Sequence, residues 1–169
     1  MKLNKNIVLV GMMGAGKTTI GSLLAKKLNL RFFDIDRIIE KKTKMKIFEI
    51  FEKQGEIEFR KLEQKITLKF LNKSFRIVSL GGGAFINEVI RKEVEKKGIS
   101  IWLKWNSKTL IDRINKNKKR PIALNLNDNE LKDLIISRSK VYSKVDYKID
   151  CENMSKNQVI DKIIKIINI

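Results

Sequence analysis

Short apolar runs alternate with longer amphipathic stretches along this chain. The runs predict five β-strands, and the most apolar of them are nearly continuous, as is typical of strands covered on both faces. Their predicted bounds are Ile7–Val10, Arg31–Phe33, Arg76–Leu80, Ile99–Leu103 and Tyr147–Ile149. Strands that alternate with helices are typical of βαβ units. We therefore expect an α/β fold with a parallel sheet.

Apolar residues spaced three and four apart predict the helices between these strands. In the first such stretch the spacing is set by Ile20, Leu23, Leu24 and Leu28, which we interpret as core positions. The helices predicted in this way are Lys17–Leu28, Glu56–Leu71, Leu131–Val141 and Gln158–Ile167.

Two segments fit neither a helix nor a strand. Gly81, Gly82 and Gly83 directly follow the third predicted strand, which favours a close approach of the backbone to a ligand. The segment from Asn115 to Asn129 is polar and contains the chain's one proline, Pro121. We interpret this second segment as a mobile loop or lid.

Composition narrows the classes of protein and of chemistry. A chain of 169 residues with 43% apolar and 33% charged side chains predicts a single domain over residues 1–169. Its apolar runs are far shorter than the roughly 20 residues that span a bilayer, and the N-terminal sequence lacks the pattern of a secretion signal. We expect a cytoplasmic protein without a membrane partner.

The chain has no histidine and one cysteine, Cys151. This excludes zinc sites of the Cys/His type and nucleophiles activated by histidine. Catalysis would have to use carboxylates, lysine, arginine, backbone amides or a hard cation.

The formal net charge of +18 suggests nucleic acid at first sight. However, the lysines are spread over the predicted helices, and no basic strand with interleaved aromatic residues is present. We therefore expect no nucleic-acid partner. The eight arginines are more informative, because a planar guanidinium can hold a carboxylate or a phosphate at two points.

The strongest motif is Gly11–Thr18, which matches the phosphate-loop pattern GxxxxGK[ST] at every fixed position. A predicted strand precedes it and a predicted helix follows it, so backbone amides and the helix N-terminus would converge on an anion. Lys17 would contact the β- and γ-phosphates of a nucleotide, and the Thr18 hydroxyl would bind Mg²⁺.

Asp34 and Asp36 lie at the end of the second predicted strand, where strand ends of an open α/β sheet face the ligand crevice. One carboxylate would face Mg²⁺ and the other an acceptor hydroxyl. The alternative is that an aspartate here caps the next helix.

Four arginines are candidates for binding anions. Arg60 and Arg138 come from separate predicted helices and suit a small carboxylate-bearing molecule better than a second nucleotide. Arg113 lies just before the Asn-rich segment and Arg120 lies within it, where a closing lid would bring them to the nucleotide phosphates or the adenine.

In their order and spacing these motifs resemble those of bacterial shikimate kinases. The matching segments, from about Ile7 to Tyr142, are GMMGAGKTTIG, FFDID, IFEIFEKQGEIEFRKLE, VSLGGGAF, the pair Arg120-Pro121, and RSKVY. The GExxFRxxE element with the GGG segment is far more specific than the phosphate loop, which many NTPases share. The resemblance implies a three-layer P-loop kinase fold like that of nucleoside monophosphate kinases. It would have a five-stranded parallel sheet of order 2-3-1-4-5 flanked by helices, a lid at about 115–129 and a substrate-binding region at about 34–62.

The same resemblance implies an activity. A shikimate kinase moves the γ-phosphoryl group of ATP to the 3-hydroxyl of shikimate, giving shikimate 3-phosphate and ADP on the pathway to chorismate and the aromatic amino acids. ATP would be the co-substrate, Mg²⁺ the cofactor with one ion per subunit, and the protein a monomer.

Carried over position by position, the resemblance assigns roles to residues of this chain. Thr18 would hold Mg²⁺, with Asp34 helping through water, and Asp36 would orient or deprotonate the 3-hydroxyl. The shikimate carboxylate would lie between Arg60 and Arg138, beside the backbone of Gly82 and Gly83. The ATP site would comprise Gly14, Ala15, Gly16, Lys17, Thr18, Thr19, Arg113 on the adenine side, and Arg120 from the lid. Lys17, Asp36 and Arg120 would be the catalytic residues.

The chain departs from the family pattern at two places. Lys44 stands where the family usually has a glycine after the second helix, and the lid sequence from Arg120 to Asn125 differs from the commoner RPLL form. Two other functions stay open on the residues alone. One is a different kinase of the same fold, such as a gluconate or nucleoside monophosphate kinase. The other is a nucleotide-dependent switch that binds a protein or nucleic acid.

Overall fold

Five parallel strands form one sheet in the order β2-β3-β1-β4-β5. The computed structural model describes residues 5–73, 75–116 and 126–167. The strands are β1 (Asn6–Val10), β2 (Arg31–Asp34), β3 (Arg76–Ser79), β4 (Gly98–Lys104) and β5 (Tyr147–Asp150). In the central strand, Ile7 lies between Ile77 of β3 and Ile99 of β4. The α/β class, the parallel sheet and its order are confirmed.

The part of the chain that the structure describes contains seven α-helices and one short 3-10 helix, of which the last, α7, follows the final strand. The helices are α1 (Lys17–Leu28), α2 (Ile35–Thr43), α3 (Ile47–Leu71), α4 (Glu88–Lys97), α5 (Ser107–Asn115), α6 (Asp128–Tyr142) and α7 (Lys156–Ile166), and the 3-10 helix is Ala84–Ile86.

Helices cover both faces of the sheet. Successive residues of a strand point to opposite faces, and in β2 Phe32 lies against Gly21 of α1 whereas Phe33 stacks on Phe70 of α3. Helix α7 packs on α1, and α4 packs on α3. The resulting three layers bury the central strand completely, with at most 1% exposure of each apolar residue from Ile7 to Val10.

Helix α3 contains a break. Gly55 has φ 80° and ψ 167°, which no helical residue adopts and which a side chain would disfavour. The predicted helix start at Glu56 therefore corresponds to the second part of α3, and the first part, from Ile47, was not predicted. The break reorients the chain just before Arg60.

Other boundaries differ from the prediction in ways that local capping explains. The segment predicted as a loop from Asn115 to Asn129 is shorter at both ends, because α5 includes Asn115 and α6 starts at Asp128. Asn127 accepts hydrogen bonds from the first turn of α6 and forms a capping box with Glu130. Residues 117–125 of this segment, Arg120 included, lie outside the described residues.

Within residues 5–73, 75–116 and 126–167, no helix is long and apolar enough to cross a membrane.

Candidate active site

The phosphate loop connects β1 to α1 at the carboxyl edge of the sheet. Gly14 and Gly16 have φ values of 81° and 83°, in the left-handed region that glycine tolerates best. Gly16 caps α1 without any side-chain hydrogen bond, so no capping side chain covers the N–H groups of the first helical turn. A helix N-terminus of this kind favours an anion such as phosphate.

Lys17 lies over the loop and is only 8% exposed. Its Nζ donates to the carbonyl oxygens of Gly11 at 2.7 Å and Met12 at 3.0 Å. Lys17 also lines a cavity of about 280 Å³. The residues lining this cavity are Gly14, Gly16, Lys17, Thr18, Thr19, Asp34, Asp36, Ser79, Leu80 and Arg113.

Thr18 and Asp34 are in direct contact, with the Thr18 Oγ1 donating to Asp34 Oδ2 at 2.5 Å. Asp34 is also the N-cap of α2, where its Oδ1 accepts from the backbone N–H of Arg37 at 3.3 Å. The capping role and the position in the crevice therefore hold together. Among the described residues no group of three or more His, Cys, Asp or Glu could hold a metal. A cation here would need phosphate oxygens as further ligands, which is how proteins commonly bind Mg²⁺.

The sequence predicted that Asp36 lies at the end of the second strand, but in the structure it does not. Strand β2 ends at Asp34, and Asp36 lies in the first turn of α2 because the helix starts without an intervening loop. Asp36 nevertheless lines the same cavity as Lys17 and Thr18. The two aspartates thus face one space from a strand end and from a helix.

The glycine segment lies against the charged side chains of the site. A Cβ atom on Gly81 would lie 2.6 Å from both Asp36 Oδ1 and Glu63 Oε1. On Gly83 it would lie 2.6 Å from Arg60 Nη2, and on Gly82 it would lie 3.1 Å from the backbone nitrogen of Met13. A side chain at either outer position would therefore displace the charged end of Asp36, Glu63 or Arg60.

Arg60 is held by two carboxylates of its own helix. Its Nη1 donates to Glu63 at 2.7 Å, and its Nε and Nη2 both donate to Glu56 Oε1 at 3.1 Å. Burial disfavours the charged guanidinium, but the attraction of Glu63 and Glu56 outweighs it, so the pKa of Arg60 is raised. Arg60 therefore carries a fixed positive charge at this position.

Glu63 is the last residue of the GExxFRxxE element, and the sequence predicted no role for it. It is 1% exposed, and its Oε1 has no hydrogen-bond partner among the described residues. Burial raises the pKa of Glu63 to about 7, against the opposing attraction of Arg60. The i, i+3 spacing from Arg60 is the sequence signal that marks this pair.

Arg138 approaches the glycine segment from α6 and is 8% exposed. Its Nη1 lies 3.6 Å from the sulfur of Met12, and 3.8 Å from where a Cβ of Gly82 would be. Burial lowers the pKa of Arg138, with Tyr142 opposing the shift. The Tyr142 hydroxyl donates to the Gly82 carbonyl, which fixes the glycine segment to α6.

Arg113 lies at the opposite end of the cavity, next to the phosphate loop. Its Nη1 donates to the Gly14 carbonyl at 3.3 Å, and its guanidinium carbon lies 3.7 Å from the centre of the Trp105 ring. Arg60 and Arg138 thus gather at one side of the site and Arg113 at the other.

Four further residues, for which the sequence predicted no role, contribute to the site. Ser79 and Leu80 line the cavity because Ser79 ends β3 and Leu80 directly follows it, beside the strand that leads into the phosphate loop. Trp105 and Tyr142 contact the loop and the glycine segment from segments distant in the chain. For Ser79 and Leu80 the signal was available, because both immediately precede the glycines.

The chain is similar in sequence and in structure to known proteins. The family model described as shikimate kinase matches residues 13–168. A shikimate kinase from Bartonella quintana (strain Toulouse) is 42% identical over 160 residues, covering 94% of this chain and 76% of the relative. The structure of shikimate kinase from Acinetobacter baumannii in complex with shikimate is similar at a TM-score of 0.92. It is 33% identical, with 98% of this chain and 93% of that one covered. A deoxyadenosine kinase from M. mycoides with bound dATP, at 20% identity and a TM-score of 0.65 over 97% of this chain and 100% of that one, shares the fold.

Proposed function

The chain belongs to the shikimate kinase family, and we propose that it transfers the γ-phosphoryl group of ATP to the 3-hydroxyl of shikimate at the site just described. ATP is the co-substrate, and the products are shikimate 3-phosphate and ADP. The reaction belongs to the pathway that leads to chorismate and the aromatic amino acids.

One observation carries the assignment of residues to this reaction. The segment Gly81–Gly83 lies against the carboxylate of Asp36 and the guanidinium of Arg60, and close to the guanidinium of Arg138. A hydroxy acid needs a cationic grip at its carboxylate and a hydrogen-bond acceptor at its hydroxyl. The arrangement offers both at the edge of the cavity that contains the phosphate loop.

Arg60 and Arg138 bind the carboxylate of shikimate in this proposal. A guanidinium can make two parallel hydrogen bonds to a carboxylate, which fixes the orientation of the ring as well as its position. The backbone of Gly82 and Gly83 approaches the same molecule, since no side chain intervenes. Asp36 then faces the 3-hydroxyl and orients it or accepts its proton.

The phosphates of ATP bind along Gly14, Ala15, Gly16, Lys17, Thr18 and Thr19. Lys17 exchanges its contacts with the carbonyls of Gly11 and Met12 for the β- and γ-phosphates, a movement of the side chain alone. Arg113 faces the adenine side, and the resemblance to the family assigns Arg120, in the expected lid at about 115–129, to the phosphates.

Thr18 and Asp34 fit a magnesium ion, because their oxygens are 2.5 Å apart and line the cavity. When bound, Mg²⁺ would neutralise charge on the β- and γ-phosphates. The protein's own part in transfer is positioning and charge: Lys17, Arg120 and the loop amides stabilise the equatorial oxygens of a loose transition state. Asp36 holds the attacking hydroxyl in line.

Further proposals concern the protein as a whole. We take residues 1–169 as one domain, with the substrate-binding region at about 34–62, acting as a cytoplasmic monomer without nucleic-acid or membrane partners. The lysines that give the high charge are scattered over many elements, which supports a general surface property rather than a binding face.

Phosphorus NMR of the product tests the reaction. The purified protein with MgATP and shikimate should yield one phosphomonoester whose coupling pattern places the phosphate on the 3-oxygen, with ADP in equal amount. A phosphate on another ring oxygen, or free phosphate alone, would contradict the proposed placement of Asp36. Removing Mg²⁺ with a chelator should abolish the product.

A further inference from the structure

Trp105, in the connection between β4 and α5, contacts the phosphate loop and Arg113 of α5 at the end of the cavity where we place the nucleotide. It follows β4 and precedes α5, and its side chain is half-buried. The indole Nε1 donates to the carbonyl of Ala15 in the phosphate loop at 3.1 Å. The Arg113 guanidinium carbon lies 3.7 Å from the centre of the indole ring. One side chain thus contacts both the loop that faces the phosphates and the arginine that lines the cavity.

The geometry of the Arg113 guanidinium follows from this contact. A guanidinium is planar, so it has two faces and an edge that carries its N–H groups. The indole covers one face at stacking distance, and the Nη1 edge donates to the Gly14 carbonyl at 3.3 Å. Arg113 also lines the cavity. The face opposite the indole is therefore the one that Arg113 can offer to a ligand there.

A purine ring is the part of a nucleotide that such a face fits. Guanidinium groups stack on aromatic rings, and Trp gives the strongest attraction of this kind because its ring carries the largest negative face. A long arginine side chain without support would lose rotamer freedom on stacking against a base. Because the indole already packs against Arg113, this side chain loses its rotamer freedom when the protein folds and not when the nucleotide binds.

We propose that Trp105 is a positioning residue for the nucleotide base: it holds the Arg113 guanidinium flat, so that the base stacks on the opposite face. This inference rests on the proposed function, in which Arg113 lies on the adenine side. Trp105 itself does not touch the reacting atoms. Its effect is on nucleotide affinity, and neither the shikimate side nor the transfer step depends on it.

The two contacts of Trp105 can be separated by substitution. Trp105→Phe keeps an aromatic ring beneath Arg113 and removes the N–H that reaches Ala15. Trp105→Leu keeps apolar volume against the core and removes the aromatic face. If stacking on Arg113 is what matters, the leucine variant should be impaired and the phenylalanine variant nearly normal.

Calorimetric binding of MgADP and of magnesium pyrophosphate to the full chain tests the proposal. Trp105→Leu should weaken ADP binding roughly 5- to 30-fold, the range expected for a partly desolvated cation–π contact. Pyrophosphate, which has no base, should bind within about twofold of wild type. Lys108→Ala, which removes an exposed lysine from α5, the helix that carries Arg113, serves as a control for charge and folding.

A double-mutant cycle gives the readout that a merely structural role would not produce. In an Arg113→Ala background, Trp105→Leu should cause no further loss of ADP affinity, because the contact through which it acts is already gone. The protein's tryptophan fluorescence should change on adding ADP in the wild type and much less in Trp105→Phe.

Two results would overturn this inference alone. One is wild-type ADP affinity in Trp105→Leu, and the other is an equal loss of ADP and pyrophosphate affinity, which would mean that Trp105 only supports the phosphate loop. A wild-type protein that bound neither ADP nor ATP would instead contradict the proposed function itself. The wild-type titration therefore distinguishes the two failures.

Discussion

Arg60, which is half-buried, forms an ion pair with the buried Glu63 one turn further along α3, with Arg60 Nη1 2.7 Å from Glu63 Oε2. The second oxygen of Glu63 lies against the backbone of Gly81, where it has no hydrogen-bond partner among the described residues. The carboxylate that anchors the substrate-binding arginine is thus itself poorly solvated. Because burial raises the pKa of Glu63 to about 7, we expect the charge of this carboxyl to change near neutral pH.

The stability of the protein should carry the signature of Glu63. The pKa of Glu63 is raised by burial to about 7 from a usual value of 4.5, so between these values the folded state binds a proton that the unfolded state has lost. Stability contributed by the protonated carboxyl is therefore lost as pH rises from about 4.5 to about 7. Glu63→Gln removes this loss.

Urea unfolding of wild type and Glu63→Gln across this pH range measures the effect. The free energy of unfolding of the variant, relative to wild type, should increase from pH 4.5 to 7 and then become constant. A difference that stays flat, or that shrinks as the pH rises, would show that Glu63 is ionised throughout.

Arg60→Lys should raise the KM for shikimate by roughly 10- to 100-fold, because lysine keeps the charge but cannot make the planar two-point contact. The KM for ATP should change little. Steady-state kinetics with Arg31→Lys as the control isolates the effect, since Arg31 starts β2 at the opposite end of that strand from Asp34. An unchanged KM for shikimate in Arg60→Lys would remove Arg60 from the carboxylate site.

Asp36→Asn should lower kcat by about 10² or more, the scale of general-base and orientation effects. Asparagine keeps the shape of the side chain but neither accepts a proton nor carries charge. Asp161→Asn, which breaks only the exposed pair with Lys27, should retain wild-type turnover. ADP release at saturating substrates compares the variants, and near-normal turnover in Asp36→Asn would exclude Asp36 from the transfer step.

Lys44→Gly should stabilise the protein by about 0.5–1 kcal/mol. Lys44 ends α2 with φ 56° and ψ 21°, a left-handed conformation that glycine adopts at no steric cost. This explains why a glycine suits the position where the chain departs from its family. Lys42→Gly, inside the same helix, should destabilise by about 1 kcal/mol, since glycine there costs helix propensity. Thermal unfolding of both variants gives the comparison, and a lower melting temperature for Lys44→Gly would refute this account.

Much of the fold follows from local pattern. The apolar run Ile7–Val10 predicted β1 because a central strand is buried on both faces and is therefore apolar throughout. Helix α1 has its predicted bounds because Lys17–Leu28 lies between the glycine loop and an Asn cap. Helix α2 had no predicted bounds, because it is short, polar and starts directly at Asp34. With no turn residue to mark the junction, Asp36 was assigned to the strand end.

The site was predictable where neighbouring residues in the sequence determine the local backbone geometry. The phosphate loop and Asp34 are of this kind. Trp105 is not, because its partner Ala15 is 90 residues away and only the sheet order brings the two together. Glu63 is intermediate: its spacing from Arg60 was visible in the sequence, but its burial depends on the glycine segment packed against it.

The proposed site phosphorylates shikimate and not another anion. The most direct test is ADP release by the purified protein with MgATP and, in parallel, shikimate, gluconate, AMP, CMP or no acceptor. We expect rapid turnover with shikimate and only background ADP release with the other acceptors or with none. Faster turnover with gluconate or a nucleoside monophosphate, or equal hydrolysis without any acceptor, would contradict it.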